Sequence, residues 1–174
     1  MFYFNYFPKI LYDPDGSGNV RIVTNIMKRI RVRANMKKEF TFLDPYDVQD
    51  GETPEMVADK HHGSPLYHWI VLLLNNITDV NHDWPKSVRQ FQLYMKGKYG
   101  DYSKQIETHH YEIAQTSGDT TTMIEVENSS YPLASAVTNY NYEHAVNESK
   151  RSIDLLRNDY LGNFVFEFEN IIST

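Results

Sequence analysis

Two Ser/Thr-Pro dipeptides, Thr53-Pro54 and Ser64-Pro65, constrain the middle of this chain more than any other feature. A Thr or Ser hydroxyl accepts from the open N–H groups at a helix start. Proline, lacking an N–H and fixed in φ, suits the first helical position. Gly63 lies just ahead of the second dipeptide, where a left-handed C-cap ends a helix. The pattern predicts two short helices in direct succession. In the second, Leu66, Trp69, Ile70, Leu73, Leu74 and Ile77 recur at i, i+3, i+4 and i+7, one wide apolar face closed by a polar Asn75-Asn76 stop. The predicted core is Val57, Leu66, Trp69, Ile70 and Leu73, with Trp84 beyond the helix.

The flanks are less regular. Residues 1–12 are aromatic and broken by Pro8, which predicts an extended arm or edge strand. Asp13 to Asn19 is a turn. Thr24 caps a short helix over Asn25–Ile30 in one reading, whereas Arg31-Val32-Arg33 alternates like a strand; both stay open. Phe40–Leu43 and Tyr46–Val48 form a strand kinked at Pro45, followed by a tight turn at Asp50-Gly51. Val88, Phe91, Tyr94 and Met95 predict a third short helix ending near Gly97–Gly100. Thr108–Ala114 and Thr121–Val126 predict a hairpin. From Tyr142 to Ile172, apolar residues at spacings of three, four or seven predict a long C-terminal helix of roughly 45 Å, weakened at Gly162.

Composition excludes some functions. The 174 residues suffice for one domain with extensions and a real core. A net charge of −6 argues against general nucleic-acid or anionic-membrane binding. The basic run Lys28, Arg29, Arg31, Arg33, Lys37 and Lys38 alternates with apolar residues, as a solvated amphipathic face does. Cysteine is absent, so disulfides and thiolate metal sites are excluded. The N-terminus lacks the pattern of a signal peptide, and Trp69 to Leu74 is too short an apolar run to span a membrane. The 13 tyrosines suit an interaction surface or a core equally.

The candidate chemical sites have plain alternatives. Asp13 to Asn19 resembles half of an EF-hand loop, but Thr24 stands where the bidentate Glu belongs. His61-His62 and His109-His110 are adjacent pairs, whose side chains diverge on a helix or a strand. Glu52, Glu55 and Asp59 sit where a helix N-terminus favours acids. No nucleophile elbow, P-loop or dinucleotide fingerprint occurs. An enzyme, a metal and a cofactor are therefore not expected.

The run Tyr46-Asp47-Val48-Gln49-Asp50-Gly51-Glu52-Thr53-Pro54, then Val57-Ala58 and Asn75-Asn76-Ile77, resembles the LysM module. Gly63-Ser64-Pro65-Leu66-Tyr67-His68-Trp69-Ile70, with Asp83-Trp84 downstream, is similar to one branch, the family of baseplate wedge protein fifty-three of T4-type contractile-tailed phages. His62 stands where that family has a Tyr, and His68 intervenes between Tyr67 and Trp69. The aromatic N-terminus ending in Phe7-Pro8 and the segment Ser152–Phe168 extend the likeness over most of the chain.

The resemblance implies an α+β fold: a LysM-like strand-helix-helix-strand core with an inserted helix, a hairpin, an N-terminal arm and a long C-terminal helix. It implies an N-terminal docking segment 1–39, a LysM-like domain 40–140 with an insertion, and a C-terminal docking segment 141–174. The implied role is structural, in the virion tail baseplate assembled in the host cytoplasm. The implied partners are other baseplate wedge subunits, the inner baseplate ring and, as a further candidate, the sheath-initiating subunit. No nucleic acid, membrane or small-molecule substrate is expected. Partner-binding residues would be Phe2, Tyr3, Phe4, Tyr6 and Phe7 in the arm, and Ile153, Leu156, Tyr160, Phe164 and Phe168 in the tail. The alternative is peptidoglycan binding, in a groove of Gly51, Glu52, Thr53, Asn76 and Ile77.

Overall fold

The structure is a computed structural model and describes residues 3–28, 30, 42–128 and 130–173. A 3-10 turn at Tyr3–Tyr6 leads into strands β1 (Lys9–Tyr12), β2 (Arg21–Thr24) and β3 (Leu43–Asp47). Helices α1 (Pro54–His62), α2 (His68–Leu74), α3 (Val80–Asp83), α4 (Val88–Tyr99) and α5 (Tyr102–Gln105) follow. Strands β4 (Thr108–Ser117), β5 (Thr120–Val126) and β6 (Ser135–Thr138) precede helix α6 (Asn139–Ser149). Strand β7 (Ser152–Leu156) and helix α7 (Asn158–Ser173) complete the order, and the class is α+β as the sequence indicates.

The helix punctuation operates as its chemistry requires. Thr53 Oγ1 accepts from Met56 N at 3.3 Å, with Pro54 at the first helical position of α1. Gly63 ends α1 at φ 71°, its N–H donating to Asp59 O at 2.9 Å. Ser64-Pro65 starts a 3-10 turn at Pro65–Tyr67 that continues into α2. The Asn-Asn-Ile stop is a Schellman closure: Ile77 N donates to Leu72 O at 2.9 Å, and Asn76 sits at φ 54°.

The chain divides into two compact units, Met1–Asp83 with Ser152–Thr174, and Trp84–Arg151. In the first, β3 pairs antiparallel with β7, from Leu43↔Leu156 to Asp47↔Ser152. With α1 and α2 between these strands, the unit has strand-helix-helix-strand connectivity, but its closing strand comes from near the C-terminus. The expected boundary at 140/141 falls inside α6, and the expected tail segment contributes a strand to the central unit.

The long C-terminal helix is replaced by helix, strand and helix. Ile153, Leu155 and Leu156 are buried in β7, which supplies the ladder that β3 needs. The recurring apolar spacing in the tail therefore sums three elements rather than tracing one. At the other end, the arm is a 3-10 turn followed by β1, which pairs with β2. Residues Asn25–Met27 form a turn, not a helix, and the alternating run 31–33 lies outside the described residues.

The core of the first unit explains why α2 needs both chain ends. Its sequence His-Trp-Ile-Val-Leu-Leu-Leu is apolar almost all round, and such a helix must be covered on every side. Trp69, Ile70 and Leu74 cluster with Leu43 and Leu156 of the strand pair, Phe168 and Ile172 of α7, and Phe7. Of the predicted core, Val57, Trp69, Ile70 and Trp84 are buried, while Leu66 and Leu73 are half-buried. Lys28, the described end of the basic run, donates to Ile172 O at 3.0 Å in the last turn of α7.

In the second unit the sheet order is β5-β4-β6, all antiparallel. Helix α4 begins with a Ser87/Gln90 capping box and buries Phe91 and Met95. Glu143 on α6 is buried, accepting from Tyr94 and Tyr99 hydroxyls at 3.0 Å each and from Lys98 Nζ.

Candidate functional site

Most residues expected to dock on partners instead close the protein's own core. Tyr3 and Tyr6 lie with ring centroids 5.5 and 5.6 Å from Trp69, and 5.9 and 5.8 Å from Phe168. Phe7 is buried with them, and Trp69 and Phe168 are themselves 4.5 Å apart. Ile153, Leu156 and Phe168 are buried, and Phe164 and Tyr160 are half-buried against the same cluster, Tyr160 edge-on to Phe42 at 4.7 Å. Phe4 remains exposed, and Phe2 lies outside the described residues. The physical reason is area: α2 alone presents more apolar surface than two short strands can cover.

The glycan-groove residues are occupied with folding. Gly51 takes φ 78° in the turn after β3. The Glu52 carboxylate accepts from Tyr46 Oη and Gln49 N at 2.9 Å each, and from Lys60 Nζ. Burial raises the Glu52 carboxyl, but hydrogen bonds from Lys60, the Gln49 N–H and Tyr46 together outweigh it and hold it below its ordinary value. Thr53 is the N-cap of α1, while Asn76 and Ile77 form the α2 stop. An open depression of about 360 Å³ is lined by Asp50, Gly51, Glu52, Met56, Asp59 and Lys60, without Thr53, Asn76 or Ile77.

The other polar candidates have their own partners. Asp13 spends its carboxylate on Gly18 N at 2.7 Å and Asp15 N at 3.2 Å, which closes the turn. His61 Nε2 lies 3.0 Å from Leu156 O, and His62 Nδ1 lies 2.9 Å from Asn158 Oδ1. The His109-His110 pair departs from the expected divergence. A register shift between Thr108 and His110 turns the two rings together, with Nδ1 atoms 2.8 Å apart. His110 Nε2 lies 2.8 Å from Glu112 Oε1, and His109 stacks on Tyr142 at 4.0 Å. Among the described residues no group of three or more His, Cys, Asp or Glu is placed to hold a metal.

Among the described residues the β1–β2 hairpin is one of the places where large apolar side chains stay exposed. Its register runs from Lys9↔Thr24 to Tyr12↔Arg21, so Leu11 and Ile22 are direct partners on one face. They are 72% and 69% exposed, and Val20 and Met27 beside the hairpin are also exposed. A two-stranded hairpin is marginal by itself in water, and an exposed cross-strand apolar pair adds only about 0.2–1 kcal/mol to it. Covering Leu11 and Ile22 would contribute about 1.5–3 kcal/mol each at most. In the N-terminal arm the expected docking set ended at Phe7 and did not include Leu11 or Ile22. Its signal was present in Ile10-Leu11 and Ile22-Val23, apolar pairs flanking a turn, which place one apolar residue on each face.

Among the described residues no helix is long and apolar enough to cross a membrane. No family model matches the chain, and no curated protein matches it.

Proposed function

We propose that this chain is a structural subunit of a contractile-tail baseplate wedge, docking on neighbouring wedge subunits and helping join wedges around the tail tube. The reading rests on the resemblance of residues 46–77 and the flanking segments to the wedge-protein family. The observation that carries docking is the β1–β2 hairpin, whose paired Leu11 and Ile22 face solvent. The strand-helix-helix-strand unit, rigidly capped and closed by β7, supports a scaffold role. In this reading the chain is not an enzyme and uses no cofactor. Its partners are wedge subunits and the inner baseplate ring, with the sheath-initiating subunit a further candidate, and it resides in the virion baseplate.

The test is co-expression with the subunits encoded beside it, followed by purification of the assembled wedge. Leu11→Asp with Ile22→Asp is expected to abolish incorporation while leaving the far-UV circular dichroism of the free protein unchanged. Undiminished incorporation of this double variant refutes the hairpin as the docking element.

A second reading, peptidoglycan binding, is favoured by one observation, the open depression beside Gly51 and Glu52. Saturable retention on purified sacculi, lost on filling the turn with Gly51→Trp, supports it. Absence of retention removes it.

A further inference from the structure

The outer edge of β5 has no strand paired to it among the described residues. Its sequence, Thr120-Thr121-Thr122-Met123-Ile124-Glu125-Val126, is rich in strand formers, and Thr120 to Glu125 are exposed. Natural edges are blunted with Lys, Pro, bulges or very short strands. This edge carries neither Lys nor Pro, and its register with β4 is unbroken from Val126 to Thr120.

We infer that β5 pairs antiparallel with β5 of a second copy of this chain. The strand is complementary to itself. In a pairing centred on Met123, Thr122 faces Ile124, Thr120 faces Val126, and Thr121 faces Glu125. The only charge on the strand then meets a hydroxyl that can donate to it. This matters because Glu125 already lies opposite Glu112 on β4, and a register centred on Glu125 would join the two copies' pairs into a row of four carboxylates. The contact is isologous and closes as a dimer, with Met123 and Ile124, 51% and 38% exposed in the single chain, drawn into a continuous sheet. Seven residues at about 3.4 Å span roughly 24 Å. That is a small contact beside the ~1,600 Å² of a standard interface, so the dimer is weak and concentration-dependent. It concerns the isolated chain and rests on β5 alone, separately from docking through the β1–β2 hairpin.

The chain has no cysteine, so single-cysteine variants report the register directly. Antiparallel partners lie about 4.5–5.5 Å apart at Cα, within disulfide reach. Met123→Cys, on the two-fold axis, is expected to form a disulfide-linked dimer under mild oxidation. Thr121→Cys sits four residues from its copy, about 14 Å along the strand, and is expected to cross-link at least roughly tenfold more slowly. The unsubstituted chain should rise in sedimentation equilibrium from 20.4 kDa toward twice that mass as concentration increases. Equal cross-linking of the two variants, or a monomer maintained to about 1 mM, overturns the inference.

Discussion

Replacing Asn75 by alanine removes the side chain that ties the end of α2 to β7. Its Nδ2 donates to Val71 O at 2.9 Å and to Asp154 O at 2.8 Å, and its Oδ1 accepts from Asp154 N at 2.9 Å. The amide thus reproduces for Asp154 both halves of a backbone ladder contact, extending the strand pair to the helix stop. Each such bond is worth about 1 kcal/mol net, so the three sum to about 3 kcal/mol. Asp154 is exposed, and water recovers part of that loss. The expected destabilisation is therefore about 2 kcal/mol, read as a lower urea midpoint at unchanged slope.

Asn75→Asp separates hydrogen bonding from shape. It preserves volume but turns a carboxylate oxygen toward two carbonyls, and it should be less stable than the alanine variant at pH 7. Tryptophan fluorescence suits the assay, because Trp69 lies in the cluster that α2 presents to α7. An Asn75→Ala midpoint equivalent to less than about 0.5 kcal/mol would refute the reasoning, since that is the scale of an ordinary surface substitution. An aspartate variant as stable as the native chain would refute it too.

Two further substitutions probe the same unit. Gly63→Ala keeps open space around the new methyl but forces it to φ 71°, and should cost about 1 kcal/mol by urea denaturation. Glu52→Gln tests the turn before α1. The folded Glu52 carboxyl lies below its ordinary value, so its contribution is present above an unfolded pKa of about 4.3 and is lost as pH falls through the folded value. The stability gap between native and variant should be full at pH 7 and close on acidification below about pH 4; a gap independent of pH would mean that the charge on Glu52 contributes nothing.

The local punctuation was legible because each signal acts within a few residues. Thr53, Pro54, Gly63, Ser64 and the Asn-Asn-Ile stop do in the structure what backbone chemistry demands of them. The same residues explain why the groove reading weakened. Thr53, Asn76 and Ile77 complete helix ends, and Glu52 holds a turn. A short cap motif and a short ligand motif use the same polar residues, and spacing alone does not separate them.

The tail was illegible for the opposite reason. Apolar residues at intervals of three, four or seven from Val146 to Phe168 fit one helix, yet Ile153, Leu155 and Leu156 form a strand because β3 offers an unpaired ladder far away in sequence. The histidine pair at 109 and 110 shows the same limit, since the register shift that brings the rings together arises from pairing with β6. Sequence alone determined where α1 and α2 begin and end, that α2 is too apolar to stand uncovered, and that disulfides are impossible. Tertiary structure decided what covers α2 and so which aromatics are spent: Tyr3, Tyr6 and Phe7 and one face of α7 became core, while Leu11 and Ile22 of the β1–β2 hairpin stayed exposed. Capping is satisfied by neighbours along the chain, whereas burial is a contest among all the apolar surfaces of the molecule, settled only when they meet.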